Sequence, residues 1–478
     1  MQESRERLFG GRERFPIELA KRCRAVPSDA PQTGEELHLL SQKPLTREMQ
    51  EEIRRLLPKE KILFFVDKRC NIHKRMEEYY NICERNPEYA ERFLAAYRSG
   101  SAQEVLDFCL DSALSLNASD LHLMAESRSF HVKLRIDGML RTLFSVRSSF
   151  GEQLTRYIKV RAQMDIARIL EPMEGRFTRS AEGEDLDIRV SIMPTIAGEK
   201  INLRILGIRR NLFHLDELGF SEKERRQIGE HIHRASGFIL VTGPTGCGKS
   251  TTLQAILREI HDGSRNIISM EDPVEYPLDG VTQVSLTKES RAGFYDILKF
   301  ALRQDPDVIM IGEIRDAKTA DTGLKAALTG HLVLSSLHTR TALGALERLK
   351  DLGIDAYVIA DSLSLIINQR LIRLLCPLCR EEYEAERREK RILGEEGKVS
   401  LFRPKGCPTC YGTGYAGRRA LFEILEINEE IRKEIKEKSA GKSELRRTGG
   451  AEEDSLRERL KSMVLEGKTS VDEYTRYF

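Results

Sequence analysis

The stretch that decides the fold lies at residues 243–250 and reads Gly-Pro-Thr-Gly-Cys-Gly-Lys-Ser. It has the G-x-x-x-x-G-K-S spacing of a phosphate-binding loop. An apolar run, Phe238 to Val241, precedes it, and a helix-compatible stretch begins at Thr251. This strand–loop–helix order suits the motif, because the loop turns its backbone N–H groups towards a phosphate at the N-terminus of a helix. The sequence therefore predicts a site for a nucleoside triphosphate.

Within this loop, two side chains have predicted roles of their own. Lys249 is expected to reach the β- and γ-phosphates of ATP, and the Ser250 hydroxyl is expected to ligate Mg²⁺. The glycines give the backbone the freedom to turn inward. The predicted nucleotide-binding residues are Gly243, Pro244, Thr245, Gly246, Cys247, Gly248, Lys249, Ser250 and Thr251.

Length and composition place this loop in a larger protein. The chain has 478 residues, too many for one ordinary core, so we expect two to four domains. Its 77 basic and 75 acidic residues leave a net charge of +2, which argues against an overall attraction to nucleic acid. No apolar run approaches the ~18–20 residues of a membrane span. Residues 1–7 carry charge without an apolar stretch behind them, so no secretory signal is predicted and a cytoplasmic location is expected.

The sequence pattern suggests four segments. Residues 1–100 carry helical-period apolar positions and are predicted to be a helical docking region, with Ile62–Phe64 counted among those positions. Residues 101–206 predict a small α+β domain: 103–116 have the spacing of a connecting helix, and the residues from Asp120 onward alternate as in a sheet solvated on one face. Residues 207–218 are interpreted as a linker. Strands alternate with helices across 219–478, which predicts an α/β nucleotide-binding domain with a parallel sheet.

Two strand ends supply candidate acids. The run Asn266 to Met270 ends in Glu271 and Asp272, with Glu275 shortly after; these acids are candidates to position the attacking water. A second apolar strand ends at Gly312 and is followed by Glu313, where a P-loop protein would place its acid for Mg²⁺. Glu313 is one carbon longer than aspartate, so it is expected to reach the metal through a water. The alternative is a solvated acidic turn for the first group and a plain core strand with surface acids for the second.

A third strand is bracketed by His331 and His338. One histidine beside an apolar strand is usually a satisfied core residue. Two at the next strand of a phosphate-binding sheet, with Thr339 close by, fit better with a sensor of the γ-phosphate.

Four of the nine cysteines form two close pairs. The pattern C-x₂-C…C-x₂-C brings four thiolates to one tetrahedral centre and predicts a structural Zn²⁺ site. The spacer is longer than usual, so its charged run, residues 381–398, is expected to protrude as a helical excursion. A redox Cys-x-x-Cys would need only one pair. The predicted ligands are Cys376, Cys379, Cys407 and Cys410.

Together these motifs resemble the secretion ATPases of type II secretion systems and of type IV pilus assembly, over about 118–478. Residues 118–122 and 134–138 resemble the opening of that family's second N-terminal domain, and 187–200 resemble its arginine-bearing segment. The resemblance implies a RecA-like ATPase domain preceded by a smaller α+β domain. It also implies a cytoplasmic homohexamer that sits at the inner membrane through platform and docking proteins.

The resemblance also assigns roles to residues. Arg189 and Arg204 become candidate arginine fingers, and Glu271 with Asp272 matches the family's acidic box. Glu313 matches its Walker B acid, and His331 and His338 match its histidine box, with His338 taken as catalytic. The tetracysteine insert is typical of secretion and pilus-extension members. The chain departs from the pattern of many relatives in two ways: Cys247 replaces a common serine, and Asp296 and Lys299 replace arginines. The resemblance does not extend to residues 1–100, so it does not identify the docking domain.

The favoured hypothesis is a hexameric ATPase motor that powers pseudopilus assembly in type II secretion, with ATP, Mg²⁺ and Zn²⁺ as cofactors. Pilus extension is a close alternative. A nucleic-acid motor on the same core is the alternative from another class, and the near-zero net charge together with the missing aromatic–basic stripe around 376–415 argues against it. A scaffold that binds ATP without hydrolysing it is disfavoured by the intact lysine and acids.

Overall fold

The structure, a computed structural model, describes residues 20, 23–27, 36–56, 61–67, 82–85, 87–126, 129–181, 184–206, 214–286, 292–407, 409–437 and 456–478. The chain divides into two compact units. The first comprises residues 1–207, 376–381 and 404–416, and the second comprises 208–375, 382–403 and 417–478. Within the described ranges, no helix is long and apolar enough to cross a bilayer.

The first unit begins with a three-stranded sheet in the order β1-β2-β3, in which β2 and β3 are parallel. The helical character predicted for residues 1–100 is therefore only partly met. Residues Ile62–Phe64 lie in a strand because Lys61–Val66 is a short, almost continuously apolar run that pairs edge to edge with β2. The elements are β1 (Ala25–Pro27), β2 (Glu36–Ser41), α1 (Arg47–Leu56), β3 (Lys61–Val66), α2 (Ile82–Arg85) and α3 (Pro87–Arg98).

A six-stranded antiparallel sheet in the order β6-β5-β4-β9-β8-β7 completes this unit. Leu121 and Leu123 of β4 are fully buried two residues apart, as expected when one sheet face meets the core. The ring of Phe93 stacks on Phe144, with centroids 4.2 Å apart. The elements are α4 (Ala102–Ser115), β4 (Asp120–Ala125), β5 (Ser129–Ile136), β6 (Met139–Arg147), α5 (Ser148–Arg161), β7 (Met173–Ala181), β8 (Glu184–Thr195) and β9 (Gly198–Leu206).

The second unit is built on a seven-stranded sheet in the order β12-β11-β13-β14-β10-β15-β18, parallel from β12 through β15. A short 3₁₀ turn (Leu215–Leu218) precedes its first helix. The elements up to the long central strand are α6 (Glu222–Ile232), β10 (Gly237–Thr242), α7 (Lys249–Ile260), β11 (Ile267–Glu271), β12 (Thr282–Ser285), α8 (Phe294–Ala301), β13 (Val308–Ile311), α9 (Ala317–Leu328), β14 (Leu332–Leu337), α10 (Ala342–Asp351), α11 (Ala356–Ser362) and β15 (Leu363–Leu375).

Both faces of this sheet are covered. Phe238 and Leu240 of β10 belong to one apolar cluster, while Ile239 and Val241 belong to another. A strand buried on both faces reads as a continuous apolar run, which is why β10, β13 and β14 are easy to locate in the sequence. Because the strands are parallel, the carboxyl ends of β10, β11, β13 and β14 meet at one edge, and the phosphate loop follows β10 at that edge.

The charged run between the cysteine pairs does not form the predicted helical excursion. Two strands, β16 (Glu381–Glu384) and β17 (Ser400–Arg403), pair with each other around the short helix α12 (Arg387–Leu393). Three apolar residues of this segment, Ala385, Leu393 and Leu401, are buried against the helix α14 (Leu456–Leu465). Their burial explains why the segment folds back instead of protruding. The remaining elements are β18 (Tyr415–Glu426), α13 (Glu429–Lys436), α14 (Leu456–Leu465) and α15 (Val471–Tyr477).

Candidate active site

The phosphate loop joins β10 to α7, and its lysine is turned into the loop. The Lys249 ammonium donates hydrogen bonds to the carbonyl oxygens of Gly243 and Pro244, at 3.1 and 3.2 Å. Burial lowers the pKa of Lys249 from its ordinary value. Ser250 is exposed at the start of α7, while Cys247 is buried and burial raises the pKa of its thiol. The cation thus sits at the centre of the cradle in which a phosphate chain would lie.

Two glycines are required by the shape of this loop. Gly243 has φ +148° and Gly248 has φ +93°, both in the region that L side chains rarely adopt. A Cβ on Gly243 would lie 2.5 Å from the Cys247 sulphur. The motif glycines are therefore explained by conformation and by close approach.

Two acids, one arginine and one histidine meet beside the loop. Arg315 donates from Nε to Glu313 Oε1 at 2.6 Å and from Nη2 to Asp272 Oδ2 at 2.8 Å. His338 Nε2 lies 3.3 Å from Glu313 Oε2, and His338 Nδ1 lies 3.4 Å from the Lys249 nitrogen. Five charged or titratable groups that follow four strand ends are therefore linked in one chain of contacts. Arg315 was not singled out from the sequence, although it stands only two residues after Glu313.

Glu271, the first choice for the water-positioning acid, is buried and held from three sides. Its carboxylate accepts hydrogen bonds from Gln254 at 3.2 Å, Ser269 at 3.0 Å and Gln283 at 3.0 Å. The three donors therefore fix the position of this carboxylate at the end of β11. A carboxylate held in one position there is suited to accept a hydrogen bond from water.

The two histidines of the predicted sensor lie at opposite ends of β14. His338 follows the strand and faces the acids. His331 precedes it, and its Nδ1 donates to the Ala326 carbonyl oxygen at 3.0 Å. Six residues of strand separate their positions by ~20 Å. The structure therefore brings His338 to the phosphate loop and places His331 at the far edge of the sheet.

Beneath the loop lies a set of polar side chains from β15 that sequence reasoning missed. Asn368 and Gln369 are fully buried, and Arg370 is nearly so. The Asn368 amide donates to Glu423 at 2.7 Å, and Thr242 donates to Asn368 at 3.3 Å. The only sequence signal was a polar triplet inside an otherwise apolar strand, Ile366-Ile367-Asn368-Gln369-Arg370-Leu371.

The candidate arginine fingers belong to the first unit and lie directly opposite each other on β8 and β9. Arg176 of β7 is opposite Arg189, and Asp120 of β4 is opposite Arg204. The Arg204 Nε donates to Asp120 Oδ1 at 3.0 Å, yet the Arg204 side chain remains 61% exposed. Although burial opposes it, a hydrogen bond from Ser119 and the Arg204 charge lower the pKa of Asp120. Three arginines thus form a row across neighbouring strands.

Asp296 and Lys299 stand where the resembling family usually has arginines, and each makes a local contact here. Asp296 accepts a hydrogen bond from the Gly293 N–H at 3.2 Å and caps α8. The Lys299 ammonium lies 5.3 Å from the centre of the Tyr295 ring. Both positions are thus occupied by local contacts within α8 and its cap.

The four paired cysteines converge as predicted. Their sulphur atoms all lie within 4.8 Å of one another, and three of the separations are 3.9, 3.7 and 3.6 Å. Zn–S bonds of 2.3 Å in a tetrahedron place sulphurs about 3.8 Å apart, so the set fits Zn²⁺. The N–H groups of Cys407 and Gly414 donate to the Cys410 sulphur at 3.1 and 3.2 Å. Such donors orient a thiolate ligand.

Comparison with known proteins agrees with this geometry. A family model described as "Type II/IV secretion system protein" matches residues 96–476. Type II secretion system protein E of Pseudomonas aeruginosa is 40% identical over 374 residues, covering 78% of this chain and 74% of that protein. Type II secretion system ATPase E of Vibrio cholerae is 36% identical over 402 residues, covering 84% and 80%.

Two solved structures share the fold. The ATPase DotB of Legionella pneumophila has a TM-score of 0.58 at 24% identity and covers 78% of this chain and 94% of its own. The pilus retraction motor PilT with bound ADP has a TM-score of 0.52 at 25% identity, covering 77% and 95%. The predicted α/β ATPase fold is confirmed by these likenesses.

Proposed function

The chain belongs to the type II/IV secretion system protein family and is an ATPase, and from this premise we propose that it is the motor of a type II secretion system. In this role it hydrolyses ATP to drive the assembly of a pseudopilus. The support comes from relatives at 36–40% identity over most of the chain that carry the type II secretion name. Those names favour type II secretion over pilus extension and over a nucleic-acid motor.

The observation that carries the enzymatic part of the proposal is the chain of contacts from Lys249 through His338 to Glu313. Lys249 would bind the β- and γ-phosphates, while Ser250 and Glu313 would hold Mg²⁺, which neutralises charge on the phosphates when bound. Glu271 would orient the attacking water from the end of β11. His338 would sense the γ-phosphate, because it contacts both the loop lysine and Glu313.

Arg315 takes a supporting role in this scheme. It joins Glu313 and Asp272, so it partly neutralises two carboxylates that stand close to a polyanionic substrate. Without that cation, the acids would repel the phosphates. We assign Arg315 as the residue that positions these two carboxylates and offsets part of their charge.

The proposed arginine fingers, Arg189 and Arg204, would neutralise charge that develops on the γ-phosphate. They lie in the first unit, so a neighbouring copy of the chain can supply them. We therefore propose a homo-oligomer, and specifically a hexamer, that docks on membrane proteins of the secretion machine at the cytoplasmic face. The tetracysteine set would hold Zn²⁺ as a structural ion, because all four positions are filled by protein sulphurs.

The test has a biochemical and a cellular part. Purified chain should hydrolyse ATP in the presence of Mg²⁺, and Lys249→Ala should abolish both tight nucleotide binding and turnover. In cells lacking the chain, secreted proteins should accumulate inside while surface pili persist; the intact chain should restore secretion and Lys249→Ala should not. Loss of pili with normal secretion would instead assign the chain to pilus assembly.

A further inference from the structure

Gln369, a residue outside every recognised motif, contacts the phosphate loop from β15. Its side chain is 1% exposed. The amide nitrogen donates to the Cys247 carbonyl oxygen at 2.7 Å, and the amide oxygen accepts from the Thr252 hydroxyl at 2.8 Å. A single amide therefore joins the phosphate loop to the first turn of α7.

The chemistry of the loop explains why such a group is needed. If its N–H groups point inward at a phosphate, some of its carbonyl oxygens must point outward, and a buried carbonyl needs a donor. Cys247 is buried, and its carbonyl oxygen receives that donor from Gln369. A primary amide offers a donor and an acceptor on one side chain, whereas a carboxylate of the same length lacks the donor and a thioether offers neither in comparable strength.

The loop and Gln369 are also complementary in shape. A Cβ on Gly243 would lie 2.6 Å from the backbone carbonyl oxygen of Gln369. A Cβ on Gly248 would lie 3.2 Å from the side-chain amide nitrogen of Gln369. The Arg370 guanidinium donates to the same Gln369 carbonyl at 2.9 Å and to Asn368 Oδ1 at 3.2 Å, which fixes the strand beneath the loop. The glycines of the loop thus leave room for Gln369 as well as for a phosphate.

We propose that Gln369 is a positioning residue that sets the affinity of the phosphate loop for nucleotide. This inference rests on the proposed function, since it takes the loop to be the ATP site. Gln369 touches no phosphate; it acts by fixing the Cys247 peptide. Because the loop binds phosphates in both the ground state and the transition state, loss of the amide should raise KM more than it lowers kcat.

The experiment compares Gln369→Met, which removes the donor and the acceptor, with Ser364→Ala. Ser364 is a matched control because it lies on the same strand, is buried, and donates to the Phe238 carbonyl at 3.1 Å. The affinity for a fluorescent ADP analogue and the melting temperature are measured for each. We expect about tenfold weaker ADP binding for Gln369→Met, as for one lost buried hydrogen-bonding unit. Ser364→Ala should bind ADP normally at a similar melting temperature.

Thr252→Val provides a second variant in case Gln369→Met does not fold. It removes only the hydroxyl end of the brace, so a smaller loss of ADP affinity is expected. In the double variant the two losses of ADP affinity should not add, because Gln369→Met already removes the hydrogen bond that Thr252→Val removes. Full additivity, unchanged ADP affinity in both single variants, or an equal loss in Ser364→Ala would overturn the proposal. Since ADP binding needs no turnover, a failure of the ATPase function would appear separately, as an unsubstituted chain that binds ADP but hydrolyses no ATP.

Discussion

At the scale of single residues, the decisive acid is Glu313, which is contacted by both His338 and Arg315. Glu313→Gln keeps the shape and size of the side chain but removes the negative charge that we propose orients Mg²⁺. We expect nucleotide affinity to change little and kcat to fall at least ~100-fold, because this interaction matters chiefly in the transition state. Single-turnover ATP hydrolysis and equilibrium ADP binding separate the two effects.

The control for this prediction is Glu347→Gln, a neutralised glutamate on the exposed side of α10. It should leave both kcat and ADP affinity unchanged. Near-normal turnover in Glu313→Gln would show that Glu313 has no role in metal orientation.

Some residues of the candidate site can be predicted from the sequence, and others cannot. Lys249 and Glu313 stand at fixed offsets from a strand end, so a local pattern finds them. Gln283 and Gln369 contact site residues that are 12 and 122 positions away in sequence. Their roles arise from the pairing of β11 with β12 and of β10 with β15, and no local spacing encodes those pairings. Tertiary neighbours were therefore missed while motif residues were found.

At the scale of elements, a buried histidine links α6 to β18. His231 Nε2 lies 3.1 Å from Glu426 Oε1, and no hydrogen-bond partner for Nδ1 occurs among the residues that the structure describes. Burial first, and the charge of Arg234 second, lower the pKa of His231, against the opposing effect of Glu426. Protonation would place an unsatisfied N–H at Nδ1, which explains why the neutral form is preferred.

This lowered pKa predicts a pH dependence of stability. Above a pH of about 6.5, His231 is neutral in both folded and unfolded chains. As the pH falls from there towards the folded pKa, the unfolded chain binds a proton that the folded one does not, so the free energy of unfolding decreases. His231→Gln should flatten this slope, whereas His233→Gln, at an exposed neighbour, should not. Urea unfolding between pH 7.5 and 5 gives the free energy of unfolding of the unsubstituted chain and of both variants. If this free energy depends equally on pH in all three proteins, His231 is not the cause of the dependence.

The second prediction at this scale concerns metal binding by the cysteine cluster. Because four sulphurs at Zn²⁺ spacing hold the segments 376–381 and 404–416 together, Cys410→Ser should lose the metal and destabilise those segments. The intact chain should release one Zn²⁺ on thiol modification, and Cys410→Ser none, as read by a metal-indicator dye. Cys109→Ala, at a buried thiol of α4 outside the cluster, should retain one Zn²⁺. ADP affinity should persist in Cys410→Ser, and a fully folded, metal-free intact chain would rule the site out.

Elements were predictable where one pattern dominated. The strands β10, β13 and β14 are predictable from their continuous apolar runs, and the helix predicted at 103–116 corresponds to α4 (Ala102–Ser115). Ile62–Phe64 and the run 381–398 were misassigned, since a short apolar or charged stretch fits a strand as well as a helix. Their state is decided by partners, β2 in one case and the buried face of α14 in the other.

At the scale of the whole molecule, the proposed catalytic residues belong to two different units, which predicts how ATP hydrolysis depends on assembly. The phosphate loop belongs to the second unit and the row of Arg176, Arg189 and Arg204 to the first. The pairing of Arg204 with Asp120 leaves most of its side chain accessible to a phosphate. If a neighbouring copy supplies this cation, turnover per chain should rise with protein concentration. Arg204→Ala should then lower kcat by an arginine-finger factor of ~10³ or more while ADP affinity changes little.

Mixing two inactive variants tests this arrangement directly. An oligomer formed from Arg204→Ala and Lys249→Ala chains contains interfaces at which an intact phosphate loop meets an intact arginine. Such interfaces should hydrolyse ATP, so mixing should restore a fraction of the activity that neither variant has alone. Mixing Lys249→Ala with Glu313→Gln is the control, because both changes lie in the same unit, each chain lacks a working phosphate site, and no activity should return. If mixed oligomers form, as shown by size-exclusion chromatography with differently tagged chains, yet the first pair stays inactive, Arg204 does not act on a neighbouring copy.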